Sequence, residues 1–189
     1  MKRDIEDKTI LDEFLEDFAK IVEKHAKYAV VGGFVAIAHG RSRGTEDIDM
    51  IIEKLPKERF IALHNELIMA RFECMQSENP EIIYDDYLKE GSSVRYIRKG
   101  SFLPELELKL AKDALDEYSL KTRTKIKETG LDVYFASIEM NIAFKEELLK
   151  TEKDLEDARH LRIIYANNIN EEEIESIKKR IRVLRLGKG

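Results

Sequence analysis

Two aspartates, Asp47 and Asp49, lie in a segment that alternates acidic and apolar side chains before ending at Ile52. Residues i and i+2 of a β-strand project from the same face, so we expect both carboxylates to point to one place. Two like charges held that close repel each other unless a cation lies between them. Carboxylate oxygens on a rigid strand suit Mg²⁺, which completes its shell with water and substrate phosphate. The pair predicts a magnesium site, although a solvent-facing strand of alternating polar residues would have the same pattern.

A glycine pair, Gly32–Gly33, follows the short apolar segment Tyr28–Val31. A strand that stops at glycines and opens into a helix presents free backbone N–H groups at the positive end of the helix dipole, where phosphates bind. Glycine also lets a ligand approach the backbone closely. An ordinary tight turn would have the same sequence. The aspartate pair downstream, with Arg43 and Thr45 in between, favours a combined phosphate and metal site.

Helices and strands must position these side chains, and the sequence predicts an α/β (α+β) fold. We expect a small mixed β-sheet flanked by helices, with helical N- and C-terminal segments. The chain, residues 1–189, is predicted to be a single domain, with a core at about 28–135 and a helical C-terminal part at about 137–186. The predicted strands are Tyr28–Val31, Asp47–Ile52, Val94–Ile97, Leu106–Leu110 and Leu131–Phe135.

Composition narrows the class of protein. Apolar residues make up 43% of the 189 residues, which excludes a mainly disordered chain. The 33 Lys and Arg against 38 Asp and Glu give a net charge of −5, which excludes nucleic-acid affinity through net charge but not through a local basic patch. The single cysteine, Cys74, cannot form an intramolecular disulfide. The charged N-terminus and the lack of a long apolar segment predict no signal peptide, no membrane span and a cytoplasmic location.

The spacing of the glycine and aspartate pairs resembles a known signature. Gly32–Gly33, thirteen residues (34–46) and then Asp47-Ile48-Asp49 are similar to the motif of the DNA polymerase β-like nucleotidyltransferase superfamily. More narrowly, the segment from His39 to Asp49 resembles the "HG-x-x-R-x-T-x-DID" version found in AbiEii-type abortive-infection toxins and their minimal relatives. Three later segments resemble the family's third-acid strand, its lysine-bearing helix and its "KDLED" motif: Leu106–Lys109, Glu139–Lys145 and Lys153–Asp157. The similarity spans about residues 28–165.

The resemblance implies a set of site residues. Asp47, Asp49 and Glu107 would be both the catalytic carboxylates and the ligands of two Mg²⁺ ions, for which Mn²⁺ can substitute. Glu107 departs from the family's usual aspartate, and Glu105 lies beside it in the same alternation, so the activity of this variant site stays open. The nucleotide would be bound by Gly32, Gly33, Arg43, Thr45 and Lys145.

Several of these side chains have a second interpretation. Arg43 would either contact the nucleotide or form a surface salt bridge, for example to Glu46. Lys145 would either contact the triphosphate or be an ordinary surface lysine. His39 is expected to bond backbone carbonyls rather than act as a base. Salt links that fix the helical half of the site are expected from Lys153, Asp154 and Asp157.

The resemblance also implies a reaction. A nucleoside monophosphate would pass from an NTP such as ATP to a hydroxyl of a tRNA, a protein or a small molecule, with release of pyrophosphate. The protein could then be the toxin of a toxin–antitoxin system, with an antitoxin as partner. An antibiotic nucleotidyltransferase is expected to need a larger acceptor-binding region. An RNA acceptor would use two basic runs: Lys121, Arg123, Lys125 and Lys127, and Lys178, Lys179, Arg180, Arg182, Arg185 and Lys188.

The alternative is a non-catalytic protein that keeps the nucleotidyltransferase fold and binds a nucleotide or a partner. In that case neither Glu107 nor Glu105 would face the aspartate pair. The third acid is therefore the feature that distinguishes the two hypotheses.

Overall fold

Strands and helices follow each other along the chain in a computed structural model that describes residues 8–45 and 47–187. The strands are β1 (Tyr28–Val31), β2 (Asp47–Ile52), β3 (Phe72–Cys74), β4 (Val94–Arg98), β5 (Glu105–Leu110), β6 (Thr124–Lys125) and β7 (Tyr134–Phe135). The α-helices are α1 (Ile10–His25), α2 (Gly33–Ala38), α3 (Lys57–Met69), α4 (Pro80–Ile82), α5 (Ala114–Lys121), α6 (Ile138–Phe144), α7 (Glu152–Ile164) and α8 (Glu171–Arg185). Two π-helical turns, Ile83–Leu88 and Lys145–Leu149, continue α4 and α6, and a 3₁₀ turn covers Lys127–Thr129.

The strands form one mixed sheet in the order β3-β4-β5-β2-β1-β7-β6. Strand β2 lies in the middle, parallel to β5 and antiparallel to β1. Its later residues are buried because helices cover both faces of the sheet. The predicted fold class, a mixed sheet flanked by helices, is confirmed.

Helix α1 covers one face of the sheet. Its apolar residues recur at helical spacing, and Phe14 and Phe18 meet the ring of Phe72 edge to face, at centroid distances of 5.4 and 5.1 Å. Phe18 also contacts Tyr96 of β4. Leu106 of β5 and Ile48 of β2 are register partners across from Tyr96 and share its face. Asp49 therefore projects from the opposite face, where the C-terminal helices pack.

The C-terminal helices begin where their capping residues predict. The side chains of Ser137, Thr151 and Asn170 accept hydrogen bonds from backbone N–H groups three residues later, which is the standard N-cap arrangement. Helix α6 ends at Phe144, where the backbone widens into the π-helical turn that runs to Leu149. The predicted strand 131–135 is shorter, since only Tyr134 and Phe135 pair with neighbours.

None of the helices within residues 8–45 and 47–187 is both long enough and apolar enough to cross a membrane.

Candidate functional site

The register of β2 and β5 brings the acidic residues side by side. Asp47 lies opposite Glu105, and Asp49 lies opposite Glu107, on parallel strands. Directly opposed residues of neighbouring strands project from the same face of a sheet. The expected third acid, Glu107, is therefore on the same face as the aspartate pair, one strand away from Asp49.

Asp49 is in an unusual electrostatic environment. Burial, and to a lesser extent the carboxylates of Glu107 and Asp47, raise its pKa to about 6. The ammonium groups of Lys109 and Lys145 act in the opposite direction. The negative charge at this edge is thus only partly compensated by the protein's own cations, which is the situation that a bound divalent cation relieves.

Glu105 and Glu107 also have a basic partner. Arg95 of β4 lies 3.4 Å from the Glu105 carboxylate and 3.6 Å from that of Glu107, and about half of its side chain is exposed. Asp47, at the start of β2, is exposed. Among the residues that the structure describes, no three His, Cys, Asp or Glu side chains are gathered around one point as metal ligands. The donor chemistry of the three carboxylates still fits Mg²⁺, because they are hard oxygen ligands in a site of excess negative charge.

The glycine pair makes room for two of the predicted site residues. Gly32 has φ +78° and ψ −150°, a conformation that is essentially restricted to glycine. A Cβ atom there would lie 2.0 Å from Oδ2 of Asp49. A Cβ atom on Gly33 would lie 2.3 Å from Nη2 of Arg43. Each glycine thus has a second role, close packing against a charged side chain, which the sequence did not indicate.

Arg43 and Thr45 are engaged by the protein itself. Arg43 donates from Nη2 and Nε to the two carboxylate oxygens of Asp157 in α7, at 2.9 and 3.1 Å. The salt-bridge interpretation of Arg43 therefore applies, with Asp157 as the partner; Glu46, its expected partner, lies outside the described residues. Thr45 donates from Oγ1 to the backbone carbonyl of Asp47 at 3.2 Å, so it shapes the turn into β2.

Asp157 is the centre of an ion-pair cluster. It is fully buried, and its carboxylate accepts from Arg43, from Arg41 and from Nζ of Lys145, the last at 2.8 Å. Burial acts to raise its pKa, but the hydrogen bonds and charges of Lys145 and Arg43 outweigh burial and lower it. Asp157 and Asp154 thus both form the expected salt links. Oδ1 of Asp154 lies 3.5 Å from Nζ of Lys145. We call Asp157 with Arg41, Arg43 and Lys145 the Asp157 cluster.

Lys145 is not an ordinary surface lysine. Only 1% of it is exposed, and it lies between Asp157 and the pocket beside Asp49. The positive charge of the same ammonium group acts to lower the pKa of Asp49, against the larger effect of burial. The Asp157 cluster thus joins the loop before β2 to the helices that cover the Asp49 face.

A pocket of about 190 Å³ lies between the Asp49 face of the sheet and the C-terminal helices. Asp49 and Gly32 lie in its wall on the sheet side. The helix side combines four apolar residues with polar and charged ones; the apolar residues are Met140, Phe144, Leu148 and Leu149. Sequence reasoning assigned no role at this pocket to five polar residues of its wall: Lys109, Asp116, Ser119, Asn141 and Arg185. Lys109 and Arg185 lie in segments noted above for other reasons, whereas nothing in the local pattern sets the other three apart. Arg185 is held by Asp113 and Asp116, with Nε 2.5 Å from Oδ2 of Asp113.

His39 has the structural role that was expected. Its Nδ1 lies 2.5 Å from the carbonyl oxygen of Val35, one turn earlier in α2. Burial lowers its pKa, and the nearby His160 acts in the same direction. The side chain is therefore suited to a neutral packing role rather than to proton transfer.

Four members of the two basic runs form ion pairs with acidic side chains: Lys125, Lys178, Arg182 and Arg185. Lys178 lies 2.9 Å from Glu146, and Arg182 lies 3.0 Å from Glu147. Lys125, in the other run, lies 2.9 Å from Asp132. Lys188 lies outside the described residues. These internal ion pairs leave less free positive charge for a phosphate backbone than the sequence suggests.

Comparison with known proteins identifies the fold. No protein-family model matches the chain, and no curated protein matches it. The crystal structure of ANT(2″)-Ia in complex with adenylyl-2″-tobramycin is similar with a TM-score of 0.56 and 17% identity, over 93% of this chain and 98% of that chain. The solution structure of the antibiotic-resistance factor ANT(2″)-Ia is similar with a TM-score of 0.53 and 16% identity, over 93% of this chain and 95% of that chain. At this identity the likeness shows a shared fold.

Proposed function

We propose that the protein is a metal-dependent nucleotidyltransferase that transfers a nucleoside monophosphate from an NTP to a hydroxyl group. The single observation that carries the proposal is the register of Asp49 against Glu107, with the backbone of Gly32 packed on the Asp49 carboxylate. Acids on neighbouring strands, beside a pocket and in this fold, are the arrangement that the motif resemblance implies. The likeness to ANT(2″)-Ia supports the reaction class.

Asp47, Asp49 and Glu107 are the residues that would hold the metal. Bound there, two Mg²⁺ ions (or Mn²⁺) would supply stabilisation of the attacking and leaving oxygens of an in-line displacement. The raised pKa of Asp49 is consistent with this assignment, because burial, its largest cause, and the charges of Glu107 and Asp47 both disfavour a carboxylate without a bound cation.

The remaining steps are assigned to side chains of the chain itself. The acceptor oxygen attacks the α-phosphorus, a new O–P bond forms, the bond to the β-phosphate breaks and pyrophosphate leaves. We assign Glu107 to accept the proton of the acceptor hydroxyl, because its side chain is 29% exposed, whereas burial is the largest cause of the raised pKa of Asp49. Lys109 and Lys145 would bind the triphosphate, because both line the pocket beside Asp49 and their positive charges act on the Asp49 carboxylate. Gly32 and Gly33 would let it approach, while Arg43 and Thr45 fix the loop before β2.

The acceptor that we favour is a small molecule. ANT(2″)-Ia was solved with an adenylylated small molecule, and 98% of that chain is covered by this one. The expectation that an antibiotic nucleotidyltransferase needs a larger acceptor-binding region therefore does not hold. The internal pairing of the basic runs weakens the case for a tRNA acceptor. A protein acceptor, a toxin role and an antitoxin partner rest on the AbiEii-type motif alone.

The rival hypothesis, a non-catalytic nucleotide- or partner-binding protein, requires that neither Glu107 nor Glu105 face the aspartates. The register places Glu107 beside Asp49, and its carboxylate raises the pKa of Asp49. This observation favours the enzyme.

The experiment that tests the proposal is incubation with each of the four α-labelled NTPs, Mg²⁺ and separate fractions of small molecules, RNA and protein from a cell extract. The Asp47→Ala/Asp49→Ala double variant is the control. Label in the small-molecule fraction with the unchanged protein alone supports the proposal. Label in the RNA or protein fraction refutes the favoured acceptor, and label in no fraction refutes the reaction.

A further inference from the structure

Asn141 of α6 is an uncharged polar side chain in a wall that also contains apolar and charged residues. It lines the pocket beside Asp49, and only 4% of it is exposed. Its neighbours in this wall include Met140, Phe144 and Leu148. A buried side-chain amide normally satisfies both its donor and its acceptor groups, so the hydrogen bonds of Asn141 show what it has left to offer a ligand.

The orientation of the Asn141 amide is fixed by two backbone carbonyls. Its Nδ2 donates to the carbonyl oxygens of Ala136 and Ser137, at 3.1 and 3.0 Å. The opposite orientation would place Oδ1 against two acceptor oxygens, which is repulsive. Both amide hydrogens are therefore committed, and Asn141 has only an acceptor available.

The Oδ1 atom of Asn141 has no hydrogen-bond partner among the described residues. It is also not one of the side-chain atoms that are enclosed without a partner. Because the residue is almost wholly buried and lines the pocket, its remaining accessible surface opens into that pocket. The pocket thus contains a fixed hydrogen-bond acceptor that cannot rotate to become a donor.

The size and position of the pocket indicate what meets this acceptor. An engineered apolar cavity of about 150 Å³ binds benzene, so about 190 Å³ accommodates one flat heterocycle rather than a large polar sugar. The opposite wall is formed by Asp49 and Gly32, where the proposed function places the phosphates. The heterocycle at the pocket is therefore the base of the bound nucleotide.

From this geometry, and resting on the proposed function, we infer that Asn141 selects a nucleobase that presents an exocyclic amino group. Adenine and cytosine donate a hydrogen bond from their amino groups to Oδ1. Hypoxanthine and uracil carry an oxo group at the corresponding position, which faces Oδ1 as a second acceptor. A buried acceptor left facing another acceptor disfavours binding, so the amino base is preferred.

Two matched nucleotide pairs test the inference on the unmodified protein. ATP and ITP differ by an amino or oxo group at position 6 of the purine, and CTP and UTP differ in the same way at position 4 of the pyrimidine. Binding is measured by calorimetry with Mg²⁺ and without acceptor. We expect the amino member of at least one pair to bind about tenfold to a hundredfold more tightly. Equal affinities within both pairs would overturn the inference.

A variant connects the preference to Asn141. Asn141→Ala should bring the two members of the preferred pair to within about twofold of each other. Asn167→Ala, at an exposed asparagine, should keep the wild-type ratio. Retention of the full ratio by Asn141→Ala refutes the assignment to this residue. If Asn141→Ala does not fold, Asn141→Ser takes its place, because its hydroxyl can bond the Ser137 carbonyl one turn earlier and can rotate to donate or accept; the two members of the pair should again converge, and a retained ratio refutes the assignment.

Failure of the inference is distinguishable from failure of the proposed function. Selective binding of an amino base without transfer to any acceptor supports the inference and refutes the enzyme. Transfer without selectivity within the pairs does the reverse. Absence of binding by all four nucleotides refutes both.

Discussion

Replacement of Asp157 by asparagine tests the ion-pair cluster that joins the loop before β2 to the C-terminal helices. Asp157→Asn keeps the size of the side chain and removes its charge. Lys145, Arg41 and Arg43 then lose the carboxylate that they share. The variant is therefore an electrostatic perturbation with little change in packing volume.

The expected magnitude follows from burial. Lys145 and Asp157 have side-chain exposures of 1% and 0%, so Lys145 cannot reach water when its partner is neutral. Arg41 and Arg43, at 15% and 18%, can partly recover hydration. Removal of one partner of a buried ion pair typically lowers the free energy of unfolding by about 3–5 kcal/mol, and we expect Asp157→Asn to fall in that range.

The assay is urea unfolding followed by circular dichroism, with Asp154→Asn as the matched control. Asp154 lies 3.5 Å from the same ammonium group but is 18% exposed, so its variant should lose less than about 1 kcal/mol. Lys145→Met combined with Asp157→Asn should lose clearly less than the sum of the two single variants, because no buried lysine then lacks a partner. A loss below about 1 kcal/mol for Asp157→Asn alone would refute the reasoning.

Three further predictions concern other parts of the molecule. Gly32→Ala should abolish transfer and lower the free energy of unfolding by about 2–4 kcal/mol, since the added Cβ atom would overlap the Asp49 carboxylate. The control is Gly44→Ala, whose Cβ atom would have no other atom within 4 Å; it should change the free energy of unfolding by less than about 0.5 kcal/mol. His39 should contribute a loss of stability as the pH drops through about 6.5, because burial lowers its pKa and the unfolded chain then binds more protons. In urea unfolding, His39→Gln should therefore lose less stability over this pH range than the unmodified protein, and an equal loss would contradict the assignment. In a filter-binding assay at about 0.05 M and about 0.2 M salt, tRNA should bind weakly or not at all, because four residues of the basic runs are paired with acidic side chains and the net charge of the protein is −5. Tight binding that weakens steeply with salt would contradict this.

Local patterns predicted the parts of the fold that local forces determine. The strands Tyr28–Val31 and Asp47–Ile52 have the bounds that their alternation and glycines indicate. The caps of the C-terminal helices are equally local, because each depends on one side chain and a backbone group three residues away. Residues 74–91, by contrast, gave no clear pattern, since the π-helical turn Ile83–Leu88 has a residue spacing that neither a strand nor an α-helix shares.

Long-range partners were beyond the reach of sequence patterns. Arg43 and Asp157 are 114 residues apart, and nothing near Arg43 indicates that its partner is in α7 rather than at Glu46. The burial of Lys145 depends on the same contact. In the sequence, Asn141 is indistinguishable from an ordinary polar residue of a helix. Only the carbonyls of Ala136 and Ser137, which accept from its Nδ2, show that the atom left for a ligand is the acceptor Oδ1. The position of Glu107 beside Asp49 was anticipated by the motif resemblance and depends on a parallel register that alternation alone does not set.

The most direct test of nucleotidyl transfer compares ATP labelled at the α-phosphate with ATP labelled at the γ-phosphate, in the presence of Mg²⁺ and the acceptor fraction. The account predicts that α-label enters the product, that γ-label leaves as pyrophosphate, and that Asp49→Asn and Glu107→Gln each lower the rate about a hundredfold or more. Transfer of the γ-label to the acceptor, or unchanged transfer in both variants, would contradict the central claim.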